Sequence, residues 1–344
     1  MNKKEPKPLT NIQKRVLKTV ADIHDQLHPE EILFQHSVLC QTVLPYRDPG
    51  NDIKKWTRTN GHAFLGIQAT EAFNPATMDF EPVGLPFGPK ARLILMHLNS
   101  EAIRTQSPKI NVGDSMTAFI KRIGLSTDGR TIRAVKEQLR RLANAQITIG
   151  YAMDERAYQH KENIISDINL WFPKSAEQRV LWESTVRLSD DYFKSLVEHA
   201  VPFDERVIAA IKHNSMALDI YAWLTQRTFR IKWGEQVFIS WKALWEQFGK
   251  EYKEIRMFRR AFRDALLLVK TCHKFNVQEV EGVAPTTAAG LFIEYSQQPV
   301  PSLKSISKRL EWAKKTANTE DPNDSKNTKK FRKRLKNHLE KPTK

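Results

Sequence analysis

The chain has 344 residues, of which 40% are apolar, and its 55 Lys and Arg against 39 Asp and Glu give a formal net charge of +16. That length favours two domains with real cores, and that charge favours polyanionic partners. Two cysteines, Cys40 and Cys272, argue against a disulfide framework or a structural zinc site, and no apolar run approaches the ~18 residues that span a bilayer, so a cytoplasmic, non-membrane protein is expected.

In chain order, Leu9, Ile12, Val16, Val20, Ile23 and Leu27 recur at helical spacing and predict a helix that Pro29 stops. From Ile32 to about Ala72 the apolar runs shorten, with Phe34, Val38 to Cys40 and Phe64 to Ala69 divided by turn signals at Asp48-Pro-Gly50 and Asn60-Gly61. This pattern predicts a small β-rich element. Gly84-Leu-Pro-Phe-Gly-Pro89 then opens a helix from Lys90 to about Thr105, with Leu93, Ile94, Met96, Leu98 and Ile103 on its apolar side.

The chain next repeats itself. Ser115 to Gly124 lies over Ser240 to Gly249 at a constant offset of 125, matching serine, alanine, glycine and four apolar positions. With two more residues in the second loop, Ala134 to Leu142 lies over Ala261 to Val269. Each copy is followed by β-type segments: Gln146 to Met153, Ile164 to Phe172 and Trp182 to Leu188 in the first, Lys274 to Val280 and Ala289 to Ser296 in the second. Long helix, short strand, short helix, basic helix and strands is the order of a winged helix. Ser189 and Asp204 stand where helix N-caps are expected, so the second module is expected to start near Ser189.

The fold expected is α+β: two tandem winged-helix (helix-turn-helix) modules, a β-rich N-terminal element and a basic, largely disordered tail. The divisions are 1–83, 84–188, 189–300 and 301–344, with the first packing on the second. The last 44 residues carry +9 of the net charge; Ser305 to Ala317 can form a helix, and Lys329 to Lys336 is a basic run after a polar linker.

Arg256, Arg259, Arg260 and Arg263 recur at i, i+3, i+4 and i+7, so on a helix turning about 100° per residue they share one stripe, roughly 120° from Phe258, Phe262, Leu266 and Val269. A charged stripe is often only a solvated face, but this one occupies the recognition-helix position, and arginine suits bidentate contact with guanine edges and phosphates. These four residues with Lys253 are the principal expected DNA contacts, with Arg259 and Arg263 facing solvent in the free protein. Thr131, Arg133, Lys136 and Arg140 (beside Arg141) make a looser stripe on the first basic helix, where phosphate binding or dimer contact competes with base reading. Lys329, Lys330, Arg332, Lys333 and Arg334 are expected to touch phosphates without sequence preference.

Other chemistries fail on their residues. Gly124 to Thr131 nearly spells a phosphate-binding loop, but Arg130 stands where lysine is needed and an amphipathic helix precedes it. His24 and His28 stand at i, i+4 with Glu31 nearby, but Pro29 ends the helix and no third ligand follows at useful spacing. Glu251-Tyr-Lys253 lies in a turn rather than on a nuclease strand, and Tyr151, Tyr158 and Tyr192 lack the histidine pair of a nicking enzyme. Trp223, Trp233, Trp241, Trp245 and Phe248 have core periodicity, although they could stack bases. No catalysis, metal or cofactor is expected.

Leu44-Pro-Tyr-Arg-Asp-Pro-Gly50, Trp56-Thr-Arg-Thr-Asn-Gly61, Gly84-Leu-Pro-Phe-Gly-Pro-Lys-Ala-Arg-Leu93, Glu101-Ala-Ile-Arg-Thr-Gln-Ser107 and Glu137-Gln-Leu-Arg-Arg-Leu142 together resemble the RepA-type plasmid-encoded replication initiators of bacteria, over about residues 30 to 295. Ser126-Thr-Asp-Gly-Arg-Thr131 departs from the glycine-rich turn of those relatives. The resemblance implies binding of double-stranded DNA at repeats of a plasmid origin, recruitment of the host initiator and replicative helicase, and repression of the protein's own promoter. A homodimer in equilibrium with monomer is expected, the first module supplying the dimer contact. A winged-helix transcriptional regulator and a non-specific nucleic-acid-binding protein are the other readings.

Overall fold

The structure is a computed structural model that describes residues 11–25, 32–74, 77–113, 116–153, 156–169, 184–282 and 289–300. It begins with helix α1 (Asn11–Asp25), strand β1 (Ile32–His36) and a short helix α2 (Ser37–Gln41). Two hairpins follow, β2 (Lys55–Asn60) with β3 (Ala63–Ala69) and β4 (Glu71–Asn74) with β5 (Asp79–Pro82). Next come α3 (Gly88–Thr105), β6 (Lys109–Gly113), α4 (Met116–Arg122), α5 (Gly129–Ala143), β7 (Ala145–Met153), β8 (Arg156–Asn163), β9 (Ile165–Asn169) and β10 (Ser184–Leu188). The rest is α6 (Asp190–His199), β11 (Ala200–Asp204), α7 (Glu205–Ile211), α8 (Ser215–Thr228), β12 (Gln236–Ser240), α9 (Trp241–Phe248), α10 (Ile255–Cys272), β13 (Val277–Val280) and β14 (Gly290–Glu294).

The α+β class is as expected, and one order of elements occurs twice. In α3-β6-α4-α5-β9-β10 and again in α8-β12-α9-α10-β13-β14, three strands form an antiparallel sheet with the last strand in the middle. Residues that align between the copies share an environment: Phe119 and Ile123 are buried as Leu244 and Phe248 are, and Val135, Leu139 and Leu142 as Phe262, Leu266 and Val269 are. The caps behave likewise. Side chains of Asp128, Ser189, Asp204 and Ser240 accept from backbone N–H groups in the first turns of α5, α6, α7 and α9, satisfying donors that a helix start leaves orphaned.

Three expectations need correction. Gln146 to Met153 does not join the first module's sheet; as β7 it pairs with β3 from Ala63↔Tyr151 to Ala69↔Ala145 and turns back as β8, giving a four-stranded sheet β2-β3-β7-β8. The alternation suits this pairing, since Ile147 and Ile149 bury beside Leu65 and Ile67 while Gln146 and Thr148 stay partly exposed. Val38 to Cys40 is the helix α2 rather than a strand: the His36 ring accepts from Val38 N at 3.2 Å and the Thr42 hydroxyl donates to Val38 O at 2.8 Å, so local side chains satisfy the turn. An unbroken apolar run of three carries no period from which to tell the two states apart.

Third, the N-terminal element packs on both modules. Strand β1 pairs with β11 from Ile32↔Asp204 to His36↔Ala200, and Val16, Val20 and Ile23 of α1 pack into the second module's core. Residues up to Pro299 form one compact unit. The tail predicted after residue 300 lies outside the described residues.

The two cores meet at α3, where Ala91, Ile94, Leu95 and Leu98 belong to the first and Leu93 and Met96 to the second. Such a helix must be buried nearly all round, as α3 and α8 are. Arg92 is buried with it, and its guanidinium is saturated: Nε and Nη2 donate to the two carboxylate oxygens of Asp219 on α8, Nη1 to Pro45 O and Gly88 O, and Nη2 also to Leu44 O. The same segment holds Arg141 through Asp48 and donates from Tyr46 N to the Glu251 carboxylate at 2.8 Å. The motif Leu44 to Gly50 is thus a brace between modules.

Candidate nucleic-acid interface

Helix α10 has one wholly apolar face. Phe258, Phe262, Ala265, Leu266, Val269 and Cys272 are buried, and Trp241 at the start of α9 meets the rings of Phe258 and Phe262 edge-on at 6.2 and 5.6 Å. The opposite face in the N-terminal half carries the predicted arginines, and the structure separates them into different environments. Arg256 is 86% exposed, with Glu254 at 3.2 Å, and Arg260 is exposed. Lys253 is exposed in the turn before the helix.

Arg259 and Arg263 flank Trp241, each guanidinium 5.4 Å from a ring centroid. Arg259 does not face solvent as expected. It is half-buried, and its Nε is buried without a hydrogen-bond partner among the described residues. Arg263 remains 50% exposed but is clamped by Glu279 of β13, Nε lying 2.9 and 3.1 Å from the two carboxylate oxygens and Nη2 2.6 Å from one of them. The hydrogen bonds to Glu279 raise the Arg263 pKa above its already high ordinary value.

Register places this stripe at one end of the module. Ser240 and Val280 oppose Gly290 at one end of the sheet, whereas Gln236 opposes Glu294 at the far end, where Val277 follows the C-terminus of α10. Arg256 to Arg263 therefore lie in the half of α10 away from that C-terminus.

On α5 the predicted residues are more engaged. Thr131 belongs to the helix cap: its N and Oγ1 donate to Asp128 at 2.9 and 2.8 Å, and Ser126 donates to the same carboxylate at 2.6 Å. Those bonds, the one from Ser126 foremost, hold the Asp128 carboxyl below the usual range. Arg133 is exposed and Lys136 half-buried, while Arg140 lies 3.7 Å from Glu81 and 3.8 Å from Glu137. Arg141 is buried and structural, bound to Asp48, Glu137 and Leu85 O. The structure brings Lys253 and the four α10 arginines to one helix end, and puts Thr131, Arg133, Lys136 and Arg140 on a different helix. Lys329, Lys330, Arg332, Lys333 and Arg334 lie outside the described residues.

Several residues weighed for other chemistry have structural roles. Gly124 has φ 71° after α4 and Gly129 begins α5, so the glycines of the near phosphate loop serve a turn and a helix start. Glu251 is the Tyr46 acceptor. Tyr192 is buried, donates to Asn99 at 3.1 Å, and has its pKa pushed up by burial. Trp223, Trp241 and Phe248 are core and Trp245 is half-buried, but Trp233 is exposed, against the expectation of core packing. His28 and Glu31 lie outside the described residues.

Sequence reasoning passed over Glu279, the Trp241 shelf and the Arg92–Asp219 brace. Only Arg92 gave a signal, an arginine directly before the apolar run Leu93 to Met96.

Residues 85–243 match the family model described as plasmid encoded RepA protein. No curated protein matches. Among solved structures, the crystal structure of domains 2 and 3 of RctB (selenomethionine derivatives) aligns with a TM-score of 0.51 at 9% identity, covering 76% of this chain and 99% of that one. A second structure of the same RctB domains gives 0.47 at 9% identity, over 75% and 96%. At such identity the first likeness speaks to the fold alone. From just before α3 to the start of α9, this protein is similar to the plasmid encoded RepA proteins, the resemblance its motifs carried.

Proposed function

We propose that this protein is a plasmid replication initiator that binds repeated sequences at its origin through two winged-helix modules, 84–188 and 189–300. The observation that carries the reading is the α10 face with exposed Arg256, Arg260 and Arg263, next to the Ser240–Gly290 end of a three-stranded sheet, in a module whose topology recurs in the first copy. A helix-turn-helix places its second helix in the major groove, so α10 is the principal reader and α5, with Arg133, Lys136 and Arg140, supplies phosphate contacts or the dimer surface. The similarity to plasmid encoded RepA proteins supports the biological role.

In this reading the N-terminal element (1–83) braces both modules, and the tail (301–344) adds sequence-independent affinity through Lys329, Lys330, Arg332, Lys333 and Arg334. The protein acts by binding rather than catalysis: it promotes origin opening, engages the host initiator and replicative helicase, represses its own promoter, and exchanges between monomer and homodimer. Its place is the bacterial cytoplasm, on plasmid DNA. Among the described residues no helix is long and apolar enough to cross a membrane.

The test is replication of a plasmid carrying only this gene and its adjacent DNA, with footprinting of that DNA by purified protein. Repeats of about 20 base pairs, roughly two helical turns, should be protected, and a variant with Arg256, Arg260 and Arg263 changed to alanine should lose both protection and replication. Protection of a promoter without replication would make the protein a transcriptional regulator instead.

A further inference from the structure

Arg263 differs from the other α10 arginines in being gripped by a carboxylate from a different element. Arginine has five N–H donors in a planar fork. Glu279 takes the Nε–Nη2 edge, at 2.6 to 3.1 Å, and the Trp241 ring lies 5.4 Å from the guanidinium carbon. Nη1 makes no hydrogen bond among the described residues, and the side chain is 50% exposed. The end of the fork, Nη1 with the second N–H of Nη2, is therefore left without a partner among the described residues while the other edge is held in one orientation. Two parallel donors match the O6 and N7 acceptors that guanine alone presents side by side in the major groove.

We propose that Arg263 reads a guanine with its Nη1–Nη2 end, and that Glu279 of the β13–β14 hairpin is the positioning residue that aims it. This inference rests on the assignment of α10 as the groove reader and adds the base and the aiming residue. The carboxylate offsets the arginine's charge, so the pair contributes little to indiscriminate phosphate attraction; it also repels a phosphate brought to the same place by a misregistered complex. A free arginine would grip phosphate or base alike. A clamped one discriminates.

The experiment starts from duplexes selected from random sequence by the wild-type protein. Binding of wild type, R263A and E279Q is then measured on the selected site, on copies in which each guanine in turn is replaced by 7-deazaguanine or adenine, and on unrelated DNA. One guanine should carry a penalty of roughly 5- to 150-fold on replacement in wild type, the range for a good bidentate contact. That penalty should vanish in R263A and fall to a few-fold at most in E279Q, while E279Q binds unrelated DNA as well as wild type or better. Thermal melting of E279Q, a partly exposed and nearly isosteric change, reports whether the fold is kept. If E279Q keeps the full penalty while R263A loses it, or gains specific affinity with the preference intact, Glu279 does not aim the arginine and the proposal is overturned. If no guanine's penalty depends on Arg263, the base assignment fails. If in addition R256A and R260A leave all binding unchanged, α10 is not the reader, and the failure lies in the underlying assignment.

Discussion

Arg92 and Asp219 sit on the equivalent first helices of the two modules and meet as a buried, two-pronged ion pair, with both N···O distances 2.7 Å. Burying two charges is costly, and their mutual attraction compensates only where the remaining donors are satisfied. Here they are: Leu44 O, Pro45 O and Gly88 O take every other N–H of the guanidinium.

Removing one partner should therefore hurt more than removing both. Asp219→Ala leaves a buried, uncompensated cation and is expected to lower unfolding free energy by ~3–5 kcal/mol, whereas Arg92→Met with Asp219→Leu should recover much of the loss. Urea unfolding followed by tryptophan fluorescence measures all three, and equal losses in single and double variants would contradict the account.

Stability should also fall in mild acid through His97. Its ring is buried against Phe119 at 5.4 Å, and burial, with help from Arg122 and Arg104, pushes its pKa down to about 4. The unfolded chain, at ~6.5, then binds the proton more readily than the folded one. The stabilisation is complete above pH ~6.5 and is lost as pH falls toward 4, by ~3 kcal/mol in all. His97→Leu should flatten this part of the pH–stability curve; an unchanged curve would rule out the attribution.

Arg256 and Arg260 face water, so alanine there should weaken binding similarly on all sequences and reduce the slope of log K against log salt by about 1 for each residue that touches phosphate. Titrations at several salt concentrations on specific and unrelated duplexes decide it. Loss confined to one base position would move these residues to the same class as Arg263.

Two glycines give a matched pair. A Cβ on Gly290 would strike the backbone carbonyl of Ile239 and lie 2.8 Å from the Phe238 ring, so Gly290→Ala should open the β12–β14 pairing at a cost of roughly 1–3 kcal/mol and speed hydrogen exchange in both strands. Gly129 has nothing within 4 Å, and Gly129→Ala at the start of α5 should be neutral or slightly stabilising.

What could be read from the sequence was what repeats. Met116, Phe119, Ile120 and Ile123 could be laid over Trp241, Leu244, Trp245 and Phe248 because each short helix buries one stripe, and an amphipathic period survives in a single chain. Arg259 shows the limit of a stripe: on a wheel of about 100° per residue it stands only about 20° from Leu266, near enough to the core to be drawn over Trp241. That conflict was present in the spacing and outweighed by the four-arginine pattern. Glu279 and Asp219 could not be found this way, because their partners lie 16 and 127 residues off and no local period links them. Strand β7 was assigned to the nearer sheet, whereas its alternation fits a hairpin some eighty residues earlier equally well, and local pattern does not choose between them.

The brace at Leu44 to Asp48 has a consequence for the arithmetic of binding. Two reading modules joined by a flexible tether would tolerate targets of varied spacing, each module searching for its own half. With α3 common to both cores and its arginine locked into α8, the separation of α5 from α10 is a property of packed side chains rather than of linker length. If both helices contact DNA as proposed, a site lengthened by half a helical turn between the two contacts would turn one of them to the far side of the duplex, and the packed brace would not let the protein follow it.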